Sequence, residues 1–238
     1  TITHRDYETE KHYLNLLRQR RIDGAILFTS ALPAADLDAL AAQWPLVQCG
    51  AYASGPHVSH TSIDNVAAAY EAVDHLLRSR RRVGFLNGRF GRAYELERLA
   101  GYQQALAAHN YSFNEAYVVQ GGYAHTDGYE GCRALMALPE APGGIFCCCD
   151  QVAAGACKYL LEQGLTPGRD VDVIGFDGTY ISELCTPALS TVRQPAYEMG
   201  QTAFGLLAER MQNQQSLTKK VVMPHELVLR QSTRPLPE

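Results

Sequence analysis

Apolar positions along this chain alternate between two spacings, the broad stripe of an amphipathic helix and the short unbroken run of a strand buried on both faces. From Glu8 to Gln19, Tyr13, Leu14, Leu16 and Leu17 form a wide apolar stripe at helical spacing. Ile22-Asp-Gly24 then turns into Ala25-Ile-Leu-Phe28, a continuous apolar run of the kind found inside covered sheets. The next helix is expected over Ala35 to Gln43, and Pro45 to Cys49 reads as another buried strand. Asp64 is placed to cap a long helix from Val66 to Arg78.

The same unit repeats to the end of the chain. Strands are expected at Val83 to Leu86, Tyr117 to Val119, Gly144 to Cys148 and Val171 to Phe176. Helices are expected at Glu95 to His109, Asp127 to Ala137, Gln151 to Gln163 and Tyr197 to Met211. Strands separated by helices run parallel and wind right-handedly into open twisted sheets, so the fold class is α/β. Such sheets bind ligands beyond the carboxyl ends of their strands, which makes the residues just after each strand the candidates.

Composition narrows the function classes. The 238 residues are 46% hydrophobic and 19% charged, enough for one large domain or two small ones around real cores. With 21 basic against 25 acidic residues the formal charge is -4, an unfavourable balance for gripping a phosphate backbone. No apolar run approaches the roughly 20 residues of a membrane helix, and mean hydropathy is -0.19. The polar first residues carry no apolar secretory segment. Seven cysteines, scattered except for Cys147, Cys148 and Cys149, do not make a disulfide framework, and a reducing cytoplasm is expected.

Few motifs carry reaction chemistry. The turn from Leu86 to Arg92 bears glycines but lacks both the lysine and hydroxyl of a phosphate loop and the spacing of a dinucleotide loop. Its arginines matter more. Arg92 near the turn and Arg98 at the start of the next helix fork onto ligand hydroxyls or carboxylates, or else are solvated surface groups. The three consecutive cysteines close a strand, where successive side chains point to opposite faces, so they do not converge on one metal. The eight histidines are dispersed, and no serine sits in a nucleophile elbow.

Asp150 and Asp177 both follow buried strands. Asp150 is either a ligand acceptor or the cap of the helix it opens, whereas Asp177 has no long helix to cap. A carboxylate facing arginines at a strand end suits a polyol, whose adjacent hydroxyls both donate and accept. Tyr123 offers a flat face to a sugar ring or base, or packs as a surface aromatic.

Seven stretches, in order, resemble the effector-binding core of the lactose-repressor family of bacterial transcription regulators. They are Arg21-Ile-Asp-Gly-Ala-Ile-Leu27, Ser62-Ile-Asp-Asn65, Arg81-Arg-Val-Gly-Phe-Leu-Asn-Gly88, Glu97-Arg-Leu-Ala-Gly-Tyr102, Val173-Ile-Gly-Phe-Asp177, Pro187-Ala-Leu-Ser-Thr-Val-Arg-Gln-Pro195 and Glu226-Leu-Val-Leu-Arg-Gln-Ser-Thr233. The tail and the segment from Gln194 to Gly200 are similar to the cytidine repressor branch.

The resemblance implies a periplasmic binding protein type I-like fold, two Rossmann-like subdomains with parallel sheets and a small effector in the cleft between them. It divides the chain into residues 1–62 plus 195–223 and residues 63–194 plus 224–238. It assigns Arg98 as the effector clamp, Tyr123 as the aromatic platform and Asp177 as the cleft aspartate, with Asp150, Arg92, Gln194 and Phe28 as further contacts. Gly50 and Cys149 depart from the family pattern, which leaves the effector open between a sugar and a nucleoside.

The implied protein is a cytoplasmic homodimeric repressor without cofactor, metal or chemical step. The family begins with a helix-turn-helix of about 60 residues, and none precedes Thr1 here, so operator DNA contact is expected through residues absent from this chain. The rival readings are a solute-binding receptor of a sugar transport system, with the same two-lobed fold, and an enzyme of the doubly wound class.

Overall fold

The computed structural model describes residues 7–28, 30–52, 55–88, 92–213 and 216–235. Its contacts divide the chain into two compact units. Unit 1 holds the residues up to Asp64, Arg92–Tyr94 and Pro195–Pro224, and unit 2 holds Asn65–Gly91, Glu95–Gln194 and the residues from His225. The division expected from the resemblance cuts two residues earlier after β3 and one earlier before His225, and does not separate the short segment at Arg92.

In unit 1, α1 (Tyr7–Arg18), β1 (Ala25–Leu27), α2 (Ala34–Ala41), β2 (Leu46–Cys49) and β3 (Ser59–Ile63) follow in chain order, and α8 (Ala196–Gln212) and β9 (Lys220–Met223) return later. The strands form a parallel sheet in the order β1-β2-β3-β9. Leu14 and Leu17 of α1, one turn apart, pack with Leu40 and Ala41 of α2, Leu46 and Val58, which is what the stripe between Glu8 and Gln19 exists to do. Tyr13, counted in that stripe, is exposed instead.

Strand β3 has no apolar run, and the hydropathy pattern gives no strand there. All five of its residues are nonetheless buried. Two of its polar side chains are matched inside the unit, Ser59 Oγ accepting from Lys219 N at 3.1 Å and Thr61 Oγ1 donating to the carbonyl of Met199 at 3.3 Å, while His60 Nδ1 is buried without a hydrogen-bond partner among the described residues. Burial of polar side chains is costly without such partners.

In unit 2 the order along the chain is α3 (Asn65–Ser79), β4 (Val83–Asn87), α4 (Ala93–Ala108), a 3-10 turn (Glu115–Tyr117), β5 (Val118–Gln120), α5 (His125–Met136), β6 (Gly144–Cys147), α6 (Asp150–Glu162), β7 (Asp172–Asp177), α7 (Ile181–Leu184), β8 (Ser190–Arg193) and β10 (Glu226–Val228). The sheet order is β10-β8-β7-β6-β4-β5. Every pair is parallel except β10 with β8. The chain between β8 and β10 passes through α8 and through β9 of the other sheet rather than through a single crossover helix, so the crossover rule does not fix the direction of β10, and the expectation of wholly parallel sheets fails there.

Three other expectations change at the strand ends. Phe28 lies one residue beyond β1, whose pairing stops at Leu27 opposite Gln48, and it is 65% exposed. Tyr117 belongs to the turn before β5, and Cys148 lies outside β6. The unit 2 core is aromatic: Phe85 stacks on Phe146 at 4.9 Å and on Tyr102 at 5.5 Å, and the Tyr102 hydroxyl donates to the Val83 carbonyl at 2.7 Å. Glycines let α5 and α6 meet, since a Cβ at Gly155 would stand 1.9 Å from the His125 carbonyl oxygen.

Candidate functional site

In unit 2 the chain leaves β4 for β5 on one side and then returns to place β6 on the other. The loops after β4 and β6 therefore diverge, and this is the switch point where open α/β sheets form a crevice. Five of the seven candidates arrive along this carboxyl edge. Arg98 comes from α4, Tyr123 from the loop after β5, Asp150 from the start of α6, Asp177 from the end of β7, and Gln194 from just beyond β8. Arg92 and Phe28 belong to unit 1. Arg89, Phe90 and Gly91, in the glycine-bearing turn, lie outside the described residues.

Arg98 is not a solvated surface arginine; it is 6% exposed. Its Nε donates to Asn65 Oδ1 at 3.0 Å, its Nη1 donates to the Cys148 carbonyl at 2.7 Å, and its guanidinium carbon lies 3.5 Å from the centre of the Phe176 ring. Asn65 is itself bonded to Glu97, with Nδ2 donating at 3.2 Å. The charge is thus fixed in position at the switch point by groups from α3, the end of β6 and β7. Such preorganisation lowers the cost of ordering a long side chain on a ligand.

Asp177 takes a left-handed conformation, φ 98°, and Gly178 follows at φ 70°. Two such residues in succession make a sharp exit from β7, and a Cβ at Gly178 would stand 2.7 Å from Arg193 Cγ. Gln194 Nε2 donates to Asp177 Oδ1 at 2.7 Å, and Gln194 N donates to the Asp177 carbonyl at 3.2 Å. Burial pushes the Asp177 carboxyl above its ordinary value, opposed by the Arg98 charge and the Gln194 hydrogen bond.

Asp150 resolves differently from either sequence alternative. The residue in the N-cap position of α6 is Cys149, and Asp150 is the first helical residue. Its carboxylate is 1% exposed and is taken up by the protein: Oδ2 accepts from Thr179 N at 2.6 Å and Thr179 Oγ1 at 2.9 Å, and Oδ1 accepts from Thr191 Oγ1 at 2.6 Å. The hydroxyls it holds are those of its own chain. It ties the loop after β7, and β8, to the head of α6. Burial pushes it up to about 6 despite those bonds.

Tyr123 is half-buried and lies against Gly88, where a Cβ would come within 2.5 Å of the Tyr123 hydroxyl. A glycine after β4 is therefore what gives the ring its place. The Tyr123 carbonyl accepts from the Cys149 thiol at 3.8 Å. Hydrogen bonding from Cys148 and from the backbone of Val152 and Gln151 lowers the Cys149 thiol against the raising effect of burial, while burial raises Cys147, Cys132 and Cys157.

Reading the sequence missed the supporting groups Asn65, Phe176, Thr179 and Thr191. It also missed Asn87, the last residue of β4, whose Oδ1 accepts from Gly88 N at 2.9 Å and whose buried Nδ2 has no hydrogen-bond partner among the described residues. A polar residue closing an apolar run at a carboxyl edge was the available signal. All seven cysteines are free, and among the described residues no group of three or more His, Cys, Asp or Glu side chains could hold a metal ion. No helix of the described residues is long and apolar enough to cross a membrane.

Comparison with known proteins places this geometry. Residues 54–233 match the family model described as a periplasmic binding protein-like domain. The chain is 33% identical over 232 residues to the HTH-type transcriptional repressor CytR of Escherichia coli strain K12, covering 97% of this chain and 68% of CytR. Its fold is similar to the transcription regulator CcpA of Lactococcus lactis, with a TM-score of 0.89 at 25% identity over 98% of this chain and 86% of that one. It is also similar to a LacI family transcriptional regulator from Enterococcus faecium with bound ribose, with a TM-score of 0.85 at 25% identity over 96% of this chain and 86% of that one. The chain belongs to the LacI family of transcriptional repressors, of which it forms the periplasmic-binding-protein-like effector-binding core.

Proposed function

We propose that this core senses a small neutral sugar or nucleoside on the carboxyl edge of the unit 2 sheet, works in the cytoplasm as a homodimer, and carries out no chemical step. The observation that carries the reading is the immobilised Arg98 beside Asp177, a cation and a carboxylate prepared in advance at the switch point. Neutral hydroxyls both donate and accept, so a vicinal diol satisfies such a pair without bringing a charge of its own. Tyr123, held over Gly88, supplies the ring face. The ribose seen in the Enterococcus faecium relative is a ligand of this class.

Seven free thiols suit a reducing compartment. The formal charge of -4 offers operator DNA no net positive charge here, so DNA contact is assigned to residues other than these. Pairing of two copies rests on an apolar patch in unit 2. Tyr180 and Leu184 at α7 are 73% and 74% exposed, and Arg230, which follows the exposed Leu229, donates to Ser182 Oγ of the same helix at 3.2 Å.

A thermal-shift panel of pentoses, hexoses and nucleosides, followed by calorimetry, tests the effector class. The reading expects one of them to bind, and Arg98→Ala to weaken it roughly ten- to a hundredfold. Binding unchanged in that variant would overturn the site. Leu184→Glu should move the intact protein from dimer toward monomer in sedimentation, and a wild-type protein already monomeric at micromolar concentration would overturn the dimer.

A further inference from the structure

Beyond the carboxyl ends of β4 and β5, a groove of about 190 Å³ opens against the first turns of α5. Arg98, Tyr123, Asp150, Asp177 and Gln194 do not line it. Leu86, Val119 and Val152 give it an apolar lining, Gln120, Asp127 and Glu130 add polar groups, and Asn87, whose buried Nδ2 has no hydrogen-bond partner among the described residues, is the one residue it shares with the candidate site. Gly121, Gly122 and Gly131 complete it without side chains, and a Cβ at Gly122 would stand 2.4 Å from Asp127 Oδ2, so the carboxylate would have to turn away to admit one.

The chemistry of these polar groups selects the ligand. Asp127 Oδ2 already accepts from Ala124 N at 2.9 Å, and Glu130 pairs with Arg133. Glu130 already has a cation in Arg133, the hydrogen-bond partner of Asp127 is a neutral amide, and both carboxylates keep lone pairs for neutral donors. An anionic ligand would meet two negative groups. Apolar side chains together with hydrogen-bonding ones match a sugar ring, which has C–H faces and a hydroxyl edge. The volume exceeds the cavity of about 150 Å³ that admits benzene in another protein, so a single ring fits.

We propose that this groove is an accessory binding site for one neutral monosaccharide unit, separate from the Arg98 and Asp177 edge. The test follows backbone amide signals of the isotope-labelled chain during titration with D-glucose, D-ribose and glucose 6-phosphate. The signals of Gly121, Gly122 and Gly131 should shift saturably with at least one neutral sugar, and the phosphorylated sugar should bind about tenfold more weakly or worse.

Gly121→Leu is the blocking variant, since its Cβ has tolerable room at 3.4 Å from Asp127 Cβ and its side chain enters the groove. It should weaken those shifts at least about tenfold while the rest of the spectrum shows a folded chain. Arg98→Ala should leave them in place. Three results would overturn the proposal: no saturable shift at the three glycines with either neutral sugar, equal or tighter binding of the phosphate, or shifts that survive Gly121→Leu. Shifts abolished by Arg98→Ala in a folded chain would also overturn it, by assigning them to the effector edge.

Discussion

The guanidinium of Arg98 lies 3.5 Å from the centre of the Phe176 ring while its Nη1 holds the Cys148 carbonyl at 2.7 Å. One buried cation thus ties the end of β7 to the turn after β6, and it is part of the folded architecture before any ligand arrives. Arg98→Ala should lower the unfolding free energy by about 2–4 kcal/mol, from lost charged hydrogen bonds and a desolvated cation–π contact. Arg98→Lys should recover less than half of this, because an ammonium lacks the planar fork. Urea unfolding of both variants checks it, and an alanine variant as stable as wild type would refute this account of Arg98.

Asp150 predicts a pH dependence with a definite sign. Its carboxyl is pushed by burial from 3.8 up to about 6, with the Thr191 and Thr179 hydrogen bonds opposing. Between those values the folded chain keeps a proton that the unfolded chain has released. The contribution of this group to stability is therefore greatest at the acid end and is lost as pH rises through about 6, by about 2–4 kcal/mol in all. Asp177, also raised by burial, acts in the same direction. Asp150→Asn should flatten part of this slope, since the amide does not titrate and the threonine hydroxyls can turn to accept from it. Denaturant midpoints measured across this pH range would show identical slopes if the explanation is wrong.

The α5–α6 contact depends on absent side chains. A Cβ at Gly128 would stand 1.9 Å from the Val152 carbonyl oxygen, and one at Gly155 equally close to that of His125. Both atoms are backbone, which yields only by separating the helices, so either glycine to alanine should cost about 3 kcal/mol or more. Gly200, in α8, has nothing within 4 Å of a Cβ. Gly200→Ala should instead stabilise by roughly 0.5–1 kcal/mol through helix propensity. Melting curves of the three variants decide, and a uniform response would contradict the distinction.

Cysteine reactivity should be selective. Cys149 is the thiol lowered by its neighbours, whereas burial raises Cys147 and Cys157. A short iodoacetamide pulse near pH 8 followed by peptide mass spectrometry should find Cys149 alkylated before either of those. Equal labelling of all three would count against the hydrogen bonding described at the head of α6.

What the sequence determined by itself was the alternation of helix and strand and the identity of the edge residues. Apolar runs such as Gly144 to Cys147 and stripes such as Leu14 and Leu17 are local patterns, and burial on two faces or one is written into them. The order of motifs such as Glu97 to Tyr102 and Val173 to Asp177 likewise carries the family without coordinates.

Tertiary structure alone decided what each polar group does. Strand β3 is illegible in hydropathy because Ser59 and Thr61 become tolerable inside only once Lys219 and Met199 are beside them. Asp150 reads as a ligand acceptor or a cap until Thr179 and Thr191, 29 and 41 residues further on, fill its oxygens. The direction of β10 could not follow from the helix–strand rule, since the chain between it and its partner β8 runs through a strand of the other sheet as well as a helix. In each case the deciding partner is remote in sequence. Hydrogen bonds have geometry but no periodicity, so they leave no mark on the local pattern from which strands and helices are read.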